Sequence, residues 1–168
     1  MKRYILCSLL LASSVLAADL PDPKLTPGVP DIMAGKDVIC VKRYTQGLRL
    51  DGTKVRKVTE QLKAKIFKMY GVDPKSDHYE IDHLIPLELG GTNDEKNLWP
   101  QSYTSSPWNA HKKDNLENRM HTLVCKGQIT LEQAQMEISG DWVKTYQRYF
   151  PENKYNLPYA PPAIVVPQ

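Results

Sequence analysis

The chain places an aspartate and a histidine side by side, Asp82 and His83, in a short segment with the character of a β-strand. Adjacent side chains on an extended strand point to opposite sides, so one could hold a metal ion while the other faces a substrate. A second histidine, His111, lies near the start of a predicted helix and could supply another ligand. One carboxylate and one imidazole leave coordination positions open, which suits a catalytic divalent ion better than a closed structural site.

The residues that surround this pair follow a characteristic order over residues 79–114. After Asp82-His83 come Pro86, Gly90-Gly91, Asn97-Leu98 and a histidine or asparagine near the start of a helix. This order resembles the HNH endonucleases of the ββα-metal (His-Me finger) class. In the family pattern the last ligand follows the middle asparagine by about nine residues, a position that is Ser106 here. An insertion before the helix is therefore needed to bring His111 into place, and Asn109 is the rival ligand.

The resemblance implies a role for four residues. Asp82 would bind the metal ion, and His111 would complete its site. His83 would be the general base that takes a proton from the attacking water, and Asn97 would orient His83 by tying the loop with hydrogen bonds. An unperturbed imidazole titrates at about pH 6.5, close to working pH. The family commonly uses one Mg²⁺ ion, and a histidine ligand also suits Zn²⁺, Mn²⁺ or Ni²⁺.

The activity that the resemblance implies is metal-dependent endonucleolytic cleavage of DNA, with RNA as a further substrate. The ion would stabilise charge on the scissile phosphate and on the leaving oxygen. Because the chain contains no module of the kind that reads a base sequence, we expect contacts mainly with phosphates and low sequence specificity. Two alternatives stay open: a non-catalytic metal- or nucleic-acid-binding module that retains the HNH fold, and an interaction protein that works through its proline-rich tail.

The N-terminus is typical of an export signal. Lys2 and Arg3 precede an apolar run at 4–12, which is shorter than the roughly 20 residues that a membrane-spanning helix needs. Val15 and Ala17 fit a small-residue cleavage site. Residues 1–17 are therefore predicted to be a signal peptide, and the product to be secreted or periplasmic, without membrane attachment after cleavage.

Cleavage at that point also removes Cys7 and leaves Cys40 and Cys125 as an even pair. In an oxidising compartment this pair predicts a disulfide, with two separate buried thiols as the alternative. Closing a loop of this length would stabilise the fold by roughly 4 kcal/mol in the chain-entropy model.

Composition and length limit the fold. The 168 residues are 41% hydrophobic and 24% charged, which is typical of one soluble globular domain and excludes multi-domain, collagen-like and polytopic membrane proteins. The formal charge of +3 does not by itself indicate a nucleic-acid partner. However, residues 42–68 hold nine basic residues against two acidic ones. This segment suits a polyanion held beside a cation site, although a solvated surface explains it equally well.

Local patterns predict the elements. An apolar run at 38–41 is a strand candidate, and Thr59 and Gly71 delimit a helix. The segment 79–89 is strand-like at its start and is broken by Gly90-Gly91, which is interpreted as a loop breaker. An extended segment resumes at 97–99 after a polar loop. The next helix is predicted to begin at Ser106-Pro107. Thr130 and Gln133 form a capping box at the start of a last helix, which Gly140 could split in two.

The predicted fold class is therefore α+β: a small single domain built around a ββα-metal hairpin–helix unit with flanking helices. Its limits are residues 36–150, between a proline-rich linker at 18–35 and a proline-rich tail at 151–168. The three tryptophans of the domain are predicted to belong to the core rather than to stack on bases. The sequence does not indicate an oligomeric state.

Overall fold

The computed structural model describes residues 20–75 and 78–151, so the predicted signal peptide and nearly all of the predicted tail lie outside the described residues. The described part is a small mixed α+β domain, in agreement with the predicted fold class. In chain order its helices and strands are α1 (Lys36–Ile39), α2 (Glu60–Tyr70), β1 (Tyr79–His83), β2 (Leu98–Ser102), α3 (Ala110–Cys125) and α4 (Leu131–Tyr149). Short 3₁₀ turns lie at Tyr44–Gln46, Leu87–Leu89 and Glu95–Asn97.

The two strands form an antiparallel pair in which Tyr79 lies opposite Ser102 and His83 lies opposite Leu98. The loop between them, residues 84–97, returns the chain to the start of β2 and contains two of the 3₁₀ turns. Helix α2 contacts both strands, and helix α3 packs against α4 and against the turn at Leu87–Leu89. The hairpin therefore contacts α2 through its strands, and α3 and α4 through its connecting loop.

Side-chain caps explain where two of the helices begin. The Thr59 hydroxyl accepts a hydrogen bond from the Leu62 amide at 3.2 Å, and α2 ends at Gly71, whose φ of 67° is in the left-handed region. The Thr130 hydroxyl accepts from the Gln133 amide at 3.0 Å at the start of α4. Helix α4 is kinked at Asp141 (φ −159°, ψ 89°). These starts, the stop at Gly71 and the interruption next to Gly140 are confirmed.

Two local predictions are wrong. The run at 38–41 is not a strand, because residues 36–39 form the short helix α1; an apolar run this brief does not distinguish the two structures. Helix α3 begins at Ala110 rather than after Ser106. Its N-cap is Asn109, whose side chain accepts from the Lys112 amide, so the capping oxygen is supplied three residues later than predicted.

The core lies between α3, α4 and the loop that follows β1. Trp99 and Trp142 are buried, as predicted, and the partly buried Trp108 packs edge-on against Trp142 with ring centroids 6.0 Å apart. The predicted disulfide is confirmed: Cys40, directly after α1, is bonded to Cys125 at the end of α3 across a sequence separation of 85. This bond fits an extracellular environment. Among the described residues, no helix combines the length and the apolar character needed to cross a membrane.

The described part of the predicted linker, residues 20–35, lies along the domain. The Thr26 hydroxyl donates to the Leu98 carbonyl at 2.9 Å, and the Gly28 amide donates to the Lys96 carbonyl at 3.0 Å. Pro30 forms a β-bridge with Gly91. The segment is not extended throughout, because the Thr26 amide donates to the Asp22 carbonyl and the Ala34 amide to the Asp31 carbonyl, which makes two turns. Between and beside these turns its polar backbone groups pair with the loop that contains Asn97.

Candidate functional site

Asp82 and His83 point to opposite sides of β1, as the alternation of a strand requires. Asp82 faces α3, where its Oδ2 accepts a hydrogen bond from the Lys113 ammonium at 2.6 Å. His83 is 3% exposed and faces a groove on the other side of the hairpin. Asp82 therefore belongs to a cluster of charged side chains, whereas His83 lines a surface groove.

The groove beside His83 has a volume of about 550 Å³. Tyr79 and Ile81 of β1 form part of its wall, together with Phe67 of α2. Its basic lining residues are Arg56, Lys57 and Lys63, all from the basic segment 42–68. The sequence left that segment undecided between a polyanion site and a solvated surface, and the structure brings three of its side chains to the groove in which His83 lies.

Burial lowers the pKa of His83 to about 4, and the opposing influence of the Asp82 carboxylate does not compensate. The cause is desolvation, which disfavours the charged imidazolium. The pKa of His83 therefore lies below that of an unperturbed imidazole, because little of the ring reaches solvent. At neutral pH the ring is uncharged and able to accept a proton, although it is a weaker base than a solvated imidazole.

We expect His83 to make the metal-free protein less stable as the pH falls from about 6.5 towards 4. In this window the unfolded imidazole binds a proton that the buried ring, with its pKa of about 4, does not. Since the unfolded state binds more protons, the free energy of unfolding should fall by about 3 kcal/mol across the window. Urea denaturation in the presence of EDTA, near neutral pH and at about pH 4.5, measures this change.

The control for this measurement is the variant His83→Gln, which lacks the titrating ring. Burial raises the pKa of Glu80 and of Glu117, so these carboxyl groups change stability with pH in the opposite sense. The contribution of His83 is therefore the difference between wild type and variant. Equal losses of stability in the two proteins would contradict the prediction.

The side chain of Asn97 is fully buried and makes four hydrogen bonds. Its Oδ1 accepts from the Ile85 amide at 3.0 Å and from the Val29 amide at 3.2 Å. Its Nδ2 donates to the carbonyls of Ile85 and Thr92, each at 2.9 Å. Asn97 therefore ties together the loop after His83 and the N-terminal segment. Its side chain has no hydrogen bond to the His83 ring, whose partner among the described residues is Asn93.

Gly91 lies where two backbone segments of this loop approach each other closely. A Cβ atom at this position would lie 1.8 Å from the Ile85 carbonyl oxygen. The backbone at residue 91 therefore approaches the chain so closely that no other residue type fits. The interpretation of Gly90-Gly91 as a loop breaker missed this requirement, since close approach of two backbones leaves no sign in a local pattern.

Lys113, which the sequence reasoning did not select, is the most unusual residue of the site. Its side chain is fully buried in α3. Besides Asp82, the ammonium donates to the His83 carbonyl at 2.7 Å and to the Glu117 carboxylate. All three of its donors are thus used. The helical spacing of the buried residues Ala110, Lys113 and Leu116 is the signal that would have placed this lysine on the inner face of the helix.

The electrostatics of this cluster keep Lys113 charged. Burial alone would lower the pKa of Lys113, but Asp82 and Glu117 outweigh that effect and raise it. Burial also raises the pKa of Glu117 to about 8, with Lys113 acting in the opposite direction. The ammonium therefore lies between the carboxyl groups of Asp82 and Glu117, and burial makes Glu117 harder to ionise than an exposed glutamate.

The two candidate ligands at the start of α3 differ in their surroundings. His111 is exposed in the first turn of the helix, and its ring centroid lies 5.7 Å from that of Tyr103. Asn109 is occupied as the N-cap: its Oδ1 accepts from Lys112 and its Nδ2 donates to the Ser105 carbonyl at 3.2 Å. Of the two, His111 therefore has the side chain that is available to a metal ion. No hydrogen bond or ion pair within residues 20–75 and 78–151 joins His111 to Asp82.

The donors around Asp82 are chemically suited to a hard divalent cation. Burial raises the pKa of Glu80 and of Asp114, and the charge of Asp82 adds to both effects. Carboxylates that repel one another in this way are stabilised by a cation, and oxygen donors are those preferred by Mg²⁺. Lys113 already supplies one positive charge at Asp82. A metal ion at that carboxylate would therefore have to share it with the ammonium.

A different group of potential ligands lies at the disulfide. Cys40, His121 and Cys125 have ligand atoms within 4.8 Å of one another, the one such trio of histidine, cysteine or acidic residues in the part of the chain that the structure describes. The His121 Nε2 atom is 3.4 Å from the Cys125 sulfur. Cysteine binds metals as a thiolate, and both sulfurs are joined to each other here. The trio is therefore a metal site only if the disulfide is reduced.

Comparisons with known proteins do not assign the chain to a family. No family model matches it, and neither the curated proteins nor the solved structures include a match. The resemblance to HNH endonucleases consequently depends on the residues quoted above and on their order in the chain.

Proposed function

We propose that the chain is a secreted or periplasmic metal-dependent endonuclease that hydrolyses phosphodiester bonds of DNA, and of RNA as a further substrate, with low sequence specificity. The proposal treats β1, β2 and α3 as a ββα-metal unit. The observation that carries it is the position of His83: a buried ring, uncharged at neutral pH, in the wall of a groove that is lined by Arg56, Lys57 and Lys63.

The groove supports a polyanionic substrate. Glu60, which pairs with Lys63 at 2.9 Å, and Glu80 also line the groove, so Arg56 and Lys57 are the lining cations without such a pair among the described residues. Their contribution to affinity for phosphates depends on salt rather than on base sequence. His83 lies among them, so a phosphodiester that contacts these side chains is close to the imidazole. In this arrangement His83 is the general base that takes a proton from the attacking water.

Asp82 and His111 would hold the divalent ion, with Mg²⁺ favoured by the oxygen donors and Zn²⁺, Mn²⁺ and Ni²⁺ compatible with the imidazole. When bound, the ion supplies stabilisation of the negative charge that develops on phosphate oxygens. The contribution of this chain's own residues is to orient the site. Lys113 holds the Asp82 carboxylate and the His83 carbonyl at the end of β1, and Asn97 fixes the loop that follows.

One observation favours a second function, a non-catalytic module that binds nucleic acid. Lys113 donates to Asp82 at 2.6 Å and provides the positive charge that a metal ion would otherwise provide there. If the ammonium has replaced the ion, the groove retains its affinity for phosphates while turnover is lost. The two functions make opposite predictions about cleavage.

Mutation of His83 distinguishes the endonuclease from the non-catalytic binding module. With supercoiled plasmid and Mg²⁺, the mature wild-type protein should produce nicked circles. His83→Ala should slow nicking by about 10²–10⁴-fold, the usual contribution of a general base. The rate of conversion of supercoiled plasmid, followed on agarose gels, is the measurement.

The matched control is His78→Ala, which removes an exposed histidine just before β1 and should leave nicking unchanged. Wild-type protein that binds plasmid with a salt-dependent affinity but does not nick it with Mg²⁺, Mn²⁺, Ni²⁺ or Zn²⁺ would support the binding module instead. Nicking that survives in His83→Ala would contradict the assignment of the base.

A further inference from the structure

A single side chain, that of Asn93, connects the His83 ring to the basic groove. Its Oδ1 lies 3.1 Å from the His83 Nε2 atom and accepts from the Lys57 amide at 3.3 Å. Its Nδ2 donates to the Val55 carbonyl at 2.8 Å. Arg56 lies between these two backbone groups, so one amide holds the chain on both sides of an arginine that lines the groove.

The two backbone contacts determine which way the amide points. A carbonyl oxygen can only accept a hydrogen bond and a backbone N–H can only donate one. The Asn93 nitrogen must therefore face Val55 and the oxygen must face Lys57, which also directs the oxygen to His83. An oxygen in that position can only accept, so the facing ring nitrogen must carry the proton.

This contact determines the tautomer of the ring. A neutral imidazole carries one N–H, and its other nitrogen retains the lone pair. With the proton on Nε2, the nitrogen of His83 that can receive a proton is Nδ1. Loss of the contact would leave both tautomers accessible, and in one of them the accepting nitrogen would be on the wrong side of the ring.

We propose that Asn93 is a positioning residue with two linked effects. It holds His83 in the Nε2–H tautomer, with Nδ1 as the proton-accepting atom, and it fixes the backbone at Arg56 so that a bound phosphate lies in register with that atom. The catalytic consequence rests on the nuclease function proposed above. The tautomer itself does not depend on it. The resemblance assigned the orientation of His83 to Asn97, but the side chain that touches the ring is that of Asn93.

Two substitutions separate the two effects. Asn93→Ala removes the acceptor for His83 and the donor for Val55. Asn93→Asp retains an oxygen that can accept from His83 and from the Lys57 amide, but it offers no donor to the Val55 carbonyl. Asn115→Ala is the matched control, because Asn115 is an exposed asparagine of α3.

The direct test is ¹⁵N NMR of the histidine rings at neutral pH in the presence of EDTA. The wild type and Asn115→Ala should give a one-bond cross-peak from a protected Nε2–H of His83, assigned by its absence in His83→Gln. The cross-peak should persist in Asn93→Asp and disappear in Asn93→Ala. A proton on Nδ1 in the wild type would overturn the proposal whether or not the variants fold. An unchanged Nε2–H signal in an Asn93→Ala protein that circular dichroism shows to be folded would also overturn the proposal.

The kinetic test uses plasmid nicking. Asn93→Ala should lower kcat by about 10-fold, as expected when the hydrogen bond that selects the reactive tautomer is lost. Asn93→Asp should instead raise KM, because the backbone at Arg56 is held on one side only, while kcat falls less. Unchanged kinetics in Asn93→Ala would overturn the proposed coupling. If the wild type does not nick DNA at all but shows the protected Nε2–H, the nuclease function fails and the positioning role of Asn93 stands.

Discussion

Replacing Lys113 with methionine should lower the free energy of unfolding by about 3–5 kcal/mol, the usual cost of removing one partner of a buried ion pair. Methionine retains most of the side-chain volume, so the loss comes from charge rather than from a cavity. The Asp82 carboxylate would be left without the ammonium that lies 2.6 Å from it, and the His83 carbonyl would lose its donor. Urea denaturation at neutral pH, with EDTA present, measures the effect.

The matched control is Lys144→Met. Lys144 also pairs with an aspartate, Asp141 at 3.1 Å, but its side chain is 78% exposed. Exposed pairs of this kind contribute about 0–1 kcal/mol, so the control should unfold almost like the wild type. Similar losses in the two variants would show that Lys113 is stabilising by no more than a surface charge and would contradict the role given to its burial.

The same variant tests the metal site, because in the proposed function the ammonium and a divalent ion compete for Asp82. Mg²⁺ or Mn²⁺ should then raise the stability of Lys113→Met more than that of the wild type. The stabilisation should grow with the concentration of the ion, as expected for a ligand that binds the folded state. The double variant Lys113→Met/Asp82→Asn should lose this response. A response that persists without Asp82 would place the ion elsewhere.

Local features of the fold could be predicted from the sequence because local chemistry determines them. Thr59, Gly71 and Thr130 delimit helices through hydrogen bonds and dihedral angles within a few residues. The opposite orientation of Asp82 and His83 follows from the geometry of any strand. The cysteine pair was identified by counting, since removal of the predicted signal peptide leaves two cysteines. None of these inferences requires knowledge of tertiary packing.

The rest of the site depends on contacts between distant segments, which local patterns do not contain. The lowered pKa of His83 results from burial, and the importance of Asn93 comes from a backbone segment 36–38 residues earlier in the chain. The requirement for glycine at 91 arises from the Ile85 carbonyl. Lys113 was missed for another reason: a lysine is almost never fully buried unless it is paired, so sequence reasoning places it on the surface by default.

The second large effect concerns the disulfide. The double variant Cys40→Ser/Cys125→Ser should unfold with a free energy lower by about 4 kcal/mol, because the bond closes a long loop and restricts the unfolded chain. Helix α1 should respond most strongly. It has four residues, too few to be stable alone, and the bond at Cys40 attaches its end to α3. Hydrogen exchange at residues 36–41 should therefore become faster than in α2 or α3.

Urea denaturation of the double variant and of the wild type with and without reductant measures this effect, with EDTA present so that Cys40, His121 and Cys125 cannot bind a metal ion when reduced. Reduced wild type and the double variant should agree, because both lack the same covalent constraint. Oxidised wild type should show no free thiol after denaturation. Equal stability of the double variant and of the reduced and oxidised wild type would mean that packing around Ile39, which is 1% exposed, is sufficient to hold α1 without the bond. Loss of stability together with loss of nicking would show in addition that the segment between α1 and α2, which carries Arg56, depends on this constraint to shape the groove beside His83.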